Sequence, residues 1–323
     1  MFVSVVIPTK SRPQAVVDAV HSVFNGHHQN FELFVIDQTP DESTCAALNC
    51  FMAEPRFHYL QNRRPGFGAA SSRNMGIAMS SGEIIAIMDD DVEARPDWLE
   101  HITDEFSADP ALELIAGKLT APPFDPALGH TPSFDGNPHL SNWEMPLLVA
   151  GANISMRRSL FDKVGGYDEY CGPGSRLRAS DDTDFTFRVM RSGAKWKICP
   201  HIEVVHTHGF REIKDAQALT KRYNFGNGGN YGRFTRRGDL AAGAWFLWQE
   251  AGGLTHGFLR LVRRQHPSGI GRTLTRLRGF WAGLCLSPHE GFVSARQMQR
   301  LHADYHAITA ACKEEREFVA LEL

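Results

Sequence analysis

The chain has 323 residues, 42% of them hydrophobic, enough for the core of one large domain or two smaller ones and too many for a disordered protein. Gly 29 and Pro 17 exclude a collagen-like or low-complexity composition. With 34 Lys and Arg against 37 Asp and Glu, the net charge of −3 excludes a polycation that binds nucleic acid.

The first half alternates strand and helix signals. Residues 2–7 (FVSVVI) form an apolar β-branched run closed by Pro8, and residues 13–24 place Val16, Val17, Val20 and Val23 at helical spacing. A second strand is predicted at 31–36 (FELFVI), a short third at 57–60, a helix at 69–79 and a fourth strand at 83–88 (EIIAIM) that ends in Asp89-Asp90-Asp91. A helix at 98–106 and a strand at 112–119 follow. Strands separated by helices of this length imply βαβ units and a mainly parallel sheet. Six prolines between Pro122 and Pro146 make residues 120–148 a long loop, of the kind that is usually functional or disordered in compact domains. Strands are expected at 147–155 and 196–199, with a helix at 181–191 between them, and the chain beyond Ile213 reads as helices with glycine interruptions.

Six cysteines form no CxxC pair and no zinc-like spacing, so a reducing, cytoplasmic compartment is expected. The start MFVSVVIPTKSRP lacks the form of a signal peptide. The apolar runs 240–248 and 279–286 fall short of the roughly 20 residues that cross a bilayer. The expectation is a soluble protein, or one peripheral at the inner face of a membrane.

The Asp89–Asp91 triplet directly follows a buried strand, where ligands bind in open α/β sheets. Adjacent carboxylates repel, and Mg²⁺ or Mn²⁺ shared with substrate phosphates would relieve that cost; a solvated acidic turn is the plainer alternative. Asp181, Asp182 and Asp184 open a helix, and three acids in four residues exceed what a cap needs, so one is available as a general base. His206 and His208 alternate at the end of a VVHTH run, which would put both rings on one face for metal ligation. The segment GFGAASSRNMG lacks GxxxxGK[ST] and the Rossmann position, but Arg73 within it could pair with a diphosphate. The segment CGPGSRLRAS at 171–180 reads as a flexible loop able to cover substrate.

The blocks VSVVIPTKSRP, FELFVIDQTPDEST, GFGAASSRNMGIAMSSGEIIAIMDDDVEARPDWLE, GANISMRRSLFDKVGGYDE, SDDTDFTFRVMRSG and VVHTHG, in this order over residues 2–210, resemble glycosyltransferase family 2. The resemblance implies a GT-A catalytic domain at 1–210, an inverting mechanism, and a helical region at 211–323 packed on that domain or on a membrane. It places Pro8, Thr9 and Arg12 against the nucleotide, Asp37 and Gln38 at the base, and Arg73 near the diphosphate. In the DxD motif, Asp89 with Asp90 would serve the ribose and hydrated metal, while Asp91 ligates the metal. Asp182 matches the base of the family's ED pair, His206 a histidine near the metal (His208 is the alternative), and Gly151 and Asn153 the donor-sugar side.

Two positions depart from the pattern. Gln38 stands where a second acid is usual, and an amide both accepts and donates, so UDP, dTDP and GDP donors all stay open, with UDP favoured. Asp181 replaces the Glu of the ED pair. The expected reaction is transfer of a sugar from a nucleoside-diphosphate sugar to a glycan or lipid-linked acceptor in polysaccharide or glycolipid synthesis, without nucleic acid. The alternatives are a sugar nucleotidyltransferase, whose Gly/Arg/Lys-rich first loop is missing here, and an inactive glycan-binding relative.

The charge is unevenly spread. Residues 211–300 hold 15 Lys and Arg against 5 Asp and Glu, a local +10 that leaves −13 for the rest. The basic part suits an acidic or phosphorylated surface. Residues 240–262 combine Trp245, Phe246, Trp248 and Phe258 with Arg260 and Arg263, which reads as an amphipathic helix packed on the catalytic domain or laid on a membrane.

Overall fold

The computed structural model describes residues 1–64, 67–135, 151–263 and 269–303. Strand β1 (Val3–Thr9) is buried along its whole length, as a continuous β-branched run requires. It is flanked by two parallel neighbours, β2 (Phe31–Asp37) and, after α1 (Pro13–Phe24), α2 (Ser43–Ala47), β3 (Phe57–Gln61) and α3 (Ala69–Met79), β4 (Ile84–Met88). The chain continues through β5 (Glu93–Ala94), α4 (Trp98–Ala108), β6 (Leu112–Thr120), β7 (Gly129–His130), β8 (Asn153–Arg157), α5 (Leu160–Val164), α6 (Asp181–Arg191) and β9 (Lys195–Val205). Strand β10 (Arg211–Glu212) leads into three helices, α7 (Ile213–Arg236), α8 (Leu240–Val262) and α9 (Ile270–Cys285).

Eight strands form one sheet in the order β3-β2-β1-β4-β8-β6-β9-β5. Alternation along β1 sends Val5 and Ile7 to a core shared with α1 and α4, and Val6 to a core shared with α3 and α6. Strand order reverses between β1 and β4. The crevice beyond their carboxyl ends is therefore the expected ligand position, and it receives Thr9 from one strand and the Asp89–Asp91 triplet from the other.

The parallel sheet of the sequence reading needs refinement. Four pairings are parallel, but β8 runs antiparallel to both β4 and β6, and β5 antiparallel to β9, so the sheet is mixed. Strand β8 begins at Asn153 rather than 147, and residues 147–150 lie outside the described ones. Strand β9 continues past Pro200, which lacks an N–H, because its pairing with β6 shifts register between Gly117 and Lys118. Asn153 holds that break: its Nδ2 donates to the Lys118 and Ile202 carbonyls, each at 2.9 Å. Within the proline-rich stretch, β7 pairs with β10; residues 136–148 of it lie outside the described ones.

The glycines of α7 do not interrupt it. A Cβ on Gly228 would overlap the Arg276 carbonyl and one on Gly279 the Phe225 carbonyl, so glycine lets the α7 and α9 backbones cross closely. Phe187 of α6 packs with Tyr231, Phe234, Phe246 and Phe280, which seats the helical region on the catalytic sheet domain. Gly228→Ala should therefore lower stability by about 1–3 kcal/mol despite alanine's better helix propensity. Gly252 of α8 meets no other atom, and Gly252→Ala should raise stability by about 0.5–1 kcal/mol. Thermal unfolding of the two variants checks the contrast in sign.

Candidate active site

The site is built where β1 and β4 end. Thr9 Oγ1 donates to Asp90 Oδ2 at 2.7 Å, and Arg12 Nη1 bridges Asp90 Oδ1 at 2.9 Å and Asp91 Oδ2 at 2.8 Å. Burial, with Asp91 beside it, pushes the Asp90 carboxyl up to about 6 against the opposing Arg12 and Thr9. The side chain of Asp89 is 33% exposed where that of Asp91 is 9% exposed, so Asp89 is the member that meets the open cleft.

Asp91 is the most heavily paired member. His206 Nε2 lies 3.3 Å from its Oδ1, and Arg211 Nη2 donates to its Oδ2 at 3.1 Å. Burial would raise its pKa, but His206, Arg12 and Arg211 outweigh that and hold the carboxyl down to about 2. His206 Nδ1 is 2.9 Å from the Pro132 carbonyl, an orientation that fixes the ring and turns Nε2 toward Asp91. Burial, which lowers the His206 pKa, is outweighed by Asp91 and Pro132, and the value is raised. Gly209 has no room for a Cβ because the His206 ring fills that space. The two histidines do not share a face. Strand β9 ends at Val205, and His208 Nε2 turns away to Asp18 Oδ2 at 2.8 Å.

These donors fit a divalent cation. An ionised carboxylate oxygen and an imidazole nitrogen stand 3.3 Å apart, and Asp89 opens on the same cleft. Among the described residues Asp89, Asp91 and His206 do not close into a compact three-donor cage. That suits a cation that takes its remaining oxygens from phosphate and water.

Arg73 does not face the cleft as a free cation. It is buried, stacks over Tyr167, and donates to Asp181 and, at 2.6 Å, to Asp89. It thereby ties the end of β4 to the start of α6. Next to it, Asp182 Oδ1 accepts from the Thr183 N–H at 2.7 Å and Oδ2 from the Gly151 N–H at 3.1 Å. Burial and the neighbouring Asp181 push the Asp182 carboxyl up to about 6, against Arg73 and the Thr183 amide. A Cβ on Gly151 would stand 2.7 Å from that of Asp182, so glycine lets this amide reach the carboxylate.

Two further residues have structural work. Asn153 is 1% exposed, and besides its two donated bonds it accepts the Trp98 indole N–H at 2.9 Å, which uses both its donors and one of its two acceptor sites. Asp37, also 1% exposed, accepts from Thr39 N–H and Tyr59 O–H, each at 2.7 Å. Asp37 anchors the turn, and Gln38 is the one of the pair that reaches the cleft, its Nε2 donating to the Phe67 carbonyl at 2.8 Å.

The cleft has a volume of about 870 Å³. Pro8, Thr9, Arg12, Gln38, Arg73, the three aspartates and His206 line it, together with residues the sequence reading missed. Lys10, Arg63, Arg64, Arg178 and Arg211 give it a basic rim. Helix α7 adds Asp215, Leu219, Arg222 and Tyr223, so a boundary at 210 would divide one site. Their three- and four-residue spacing marks one helix face, a signal present in the sequence. Burial, with Asp182, Asp89 and Asp91 nearby, raises the Tyr223 pKa and places that phenol in the field of all three carboxylates. The 171–180 loop is a bonded structure, with Gly172 donating to Ala179, Leu177 donating to Tyr170, and Pro173 against Gly68.

The site is a switch-point crevice with a carboxylate triplet, a fixed imidazole and an arginine rim, the donor types that suit a phosphorylated ligand and a divalent cation. Comparison with known proteins narrows the class. The family described as glycosyl transferase family 2 matches residues 4–165, half of the chain, and the chain belongs to that family. It is 28% identical over 183 residues to glucosyl-dolichyl phosphate glucuronosyltransferase of Haloferax volcanii, covering 53% of this chain and 58% of that protein. It is 28% identical over 149 residues to pre-mycofactocin glycosyltransferase of Mycobacterium tuberculosis, covering 44% of this chain and 30% of that protein. The match thus spans 58% or less of the length of these relatives. The fold is similar to that of mannosyltransferase PcManGT from Pyrobaculum calidifontis, solved with GDP-Man and Mn²⁺. The TM-score is 0.58 and the identity 15%, over 88% of this chain and 87% of that one. S. aureus TarS 1–349 in complex with UDP-GlcNAc gives a TM-score of 0.51 and 13% identity over 70% of this chain and 66% of that one. The fold is that of the GT-A glycosyltransferases.

Proposed function

We propose that the protein is an inverting glycosyltransferase that moves a sugar from a nucleoside-diphosphate sugar to an acceptor hydroxyl. The observation that carries this is the crevice that gathers Asp89, Asp91 and His206 under an arginine rim, with Asp182 set just behind it beside the Arg73–Asp181 pair; Asp91 is held ionised and the Asp182 carboxyl is pushed up to about 6. The first suits charge binding and the second proton transfer.

The diphosphate enters the basic rim, where Arg12 and Arg211 already lean on Asp91. Asp91 and His206, with Asp89 alongside, would hold Mn²⁺ or Mg²⁺, which when bound neutralises charge on the departing diphosphate. Gln38 faces the base; with its Nε2 given to Phe67, its Oε1 is the acceptor for a ring N–H of uracil, thymine or guanine. Asp182, oriented by Gly151 and Thr183, takes the proton of the acceptor hydroxyl as that oxygen attacks the anomeric carbon opposite the diphosphate. One displacement inverts the configuration. The test uses a panel of UDP-, dTDP- and GDP-sugars with Mn²⁺, with water as the surrogate acceptor. Nuclear magnetic resonance should find the freed sugar with the opposite anomeric configuration at early times. A retained configuration, or no hydrolysis of these donors while nucleoside triphosphate and sugar phosphate are converted to nucleoside-diphosphate sugar and pyrophosphate, would reject the reading.

A lipid-linked acceptor is favoured by the surface of α8. Leu247, Trp248, Phe258 and Val262 fall on one side of that helix, and Trp248 is 67% exposed. Trp281 of α9 is exposed as well, and Arg260, Arg263 and Arg278 accompany them. No helix among the described residues is long and apolar enough to cross a membrane. The pattern is that of a helix lying in a bilayer interface, and the relative named for glucosyl-dolichyl phosphate agrees with it. The protein should float with anionic vesicles at low salt, and Trp248→Glu with Phe258→Glu should abolish flotation. Equal recovery of wild type and double variant, or no flotation at all, would contradict the assignment.

A further inference from the structure

Two groups of metal-type donors stand outside the cleft among the described residues. In one, Asp168, Cys171 and Asp184 are fully buried, but Arg233 and Arg237 donate to Asp168 and Arg188 donates to Asp184, so arginine already supplies the positive charge. In the other, a lysine pairs with one carboxylate oxygen while the second oxygen stays beside a histidine. The Glu105 carboxylate, the Cys199 thiol and the His201 imidazole offer one donor atom each, all within 4.8 Å of one another. Glu105 Oε1 is 3.1 Å from His201 Nε2, while Lys197 holds the other carboxylate oxygen at 2.7 Å and so orients the group.

A second histidine stands beside this group. His101 lies one turn before Glu105 on α4, and its ring stands 5.3 Å from that of His201. Its Nδ1 is buried and has no hydrogen-bond partner. An orphaned buried nitrogen calls for an ion or water that completes it. Sulfur, nitrogen and oxygen donors on a helix and a strand match a four-coordinate zinc-class ion and do not suit Mg²⁺ or Ca²⁺.

We infer that Glu105, Cys199 and His201, with water as fourth ligand and His101 set against the His201 ring, form a zinc-class metal site that pins α4 to the irregular stretch of β9. That stretch carries the register break and runs on to His206 five residues later. The ion would therefore brace the strand that delivers the cleft histidine.

The test is Co²⁺ titration of the full chain after chelator treatment, followed by Zn²⁺. One equivalent of Co²⁺ should give the thiolate-to-cobalt charge-transfer band and the strong visible bands of a four-coordinate ion, and Zn²⁺ should bleach them. Cys199→Ser and His201→Ala should lose the band, and His101→Ala should weaken Co²⁺ binding by about tenfold or more. His201 is exposed, so its replacement leaves the fold intact, which circular dichroism verifies. Asp91→Asn should keep the band, since it acts only on the cleft. Absence of the band at saturating Co²⁺, or its survival in Cys199→Ser or His201→Ala, overturns the site.

Discussion

Asp182→Asn should leave nucleotide binding unchanged and lower turnover by about 10²–10⁴, the usual worth of a positioned general base. Asparagine keeps one acceptor oxygen for the Thr183 amide and gives up the bond from Gly151, a local loss on a group that does not line the nucleotide cleft. What is lost is the capacity to take a proton. The wild-type pH profile carries a second signature. With its carboxyl pushed up to about 6, Asp182 is protonated and idle at lower pH and competent above it. Turnover should therefore rise through pH 6 and level off, and the residual activity of Asp182→Asn should lack that limb. Steady-state kinetics from pH 5 to pH 8 reads both. Normal turnover in the variant would remove Asp182 from the base role.

Asp91→Asn should abolish the metal-dependent part of donor binding and cost turnover on the order of 10³, since charge stabilisation by a bound metal is worth several kcal/mol. The arginines make the outcome distinctive. Arg12 and Arg211 both spend hydrogen bonds on Asp91, and the substitution frees them for phosphate. Nucleotide affinity in chelator should stay level or rise while the gain on adding Mn²⁺ disappears. If Mn²⁺ still strengthens binding in this variant, the metal is held elsewhere.

Much of this was legible in the chain. Continuous β-branched runs at 2–7 and 83–88 can only be strands buried on both faces, and carboxylates placed after the second of them open on a crevice. Direction was not legible: a period of two states which faces alternate but not whether β8 runs with or against its neighbours. Pro200 also misled, because a shift in register lets a strand continue through a residue that cannot donate. At the site, residue type could not separate a ligand contact from a brace. Asn153 and Asp37 are polar groups near the strand ends, yet both are buried and hydrogen-bonded within the fold. Arg73 behaves likewise, as the tie between Asp89 and Asp181. The face of α7 at 215, 219, 222 and 223 was legible as a helix stripe, but its place over the cleft was not, because the close approach of α7 to α9 that seats it rests on glycines that weaken an isolated helix.

The most direct test is calorimetric titration of the protein with UDP, dTDP and GDP, each with Mn²⁺ and again with a chelator. One nucleoside diphosphate should bind clearly more tightly in Mn²⁺, and Asp91→Asn should erase the difference. Equal binding of every nucleotide with and without the metal, or no binding by the folded protein, would contradict a metal-assisted donor site in this crevice.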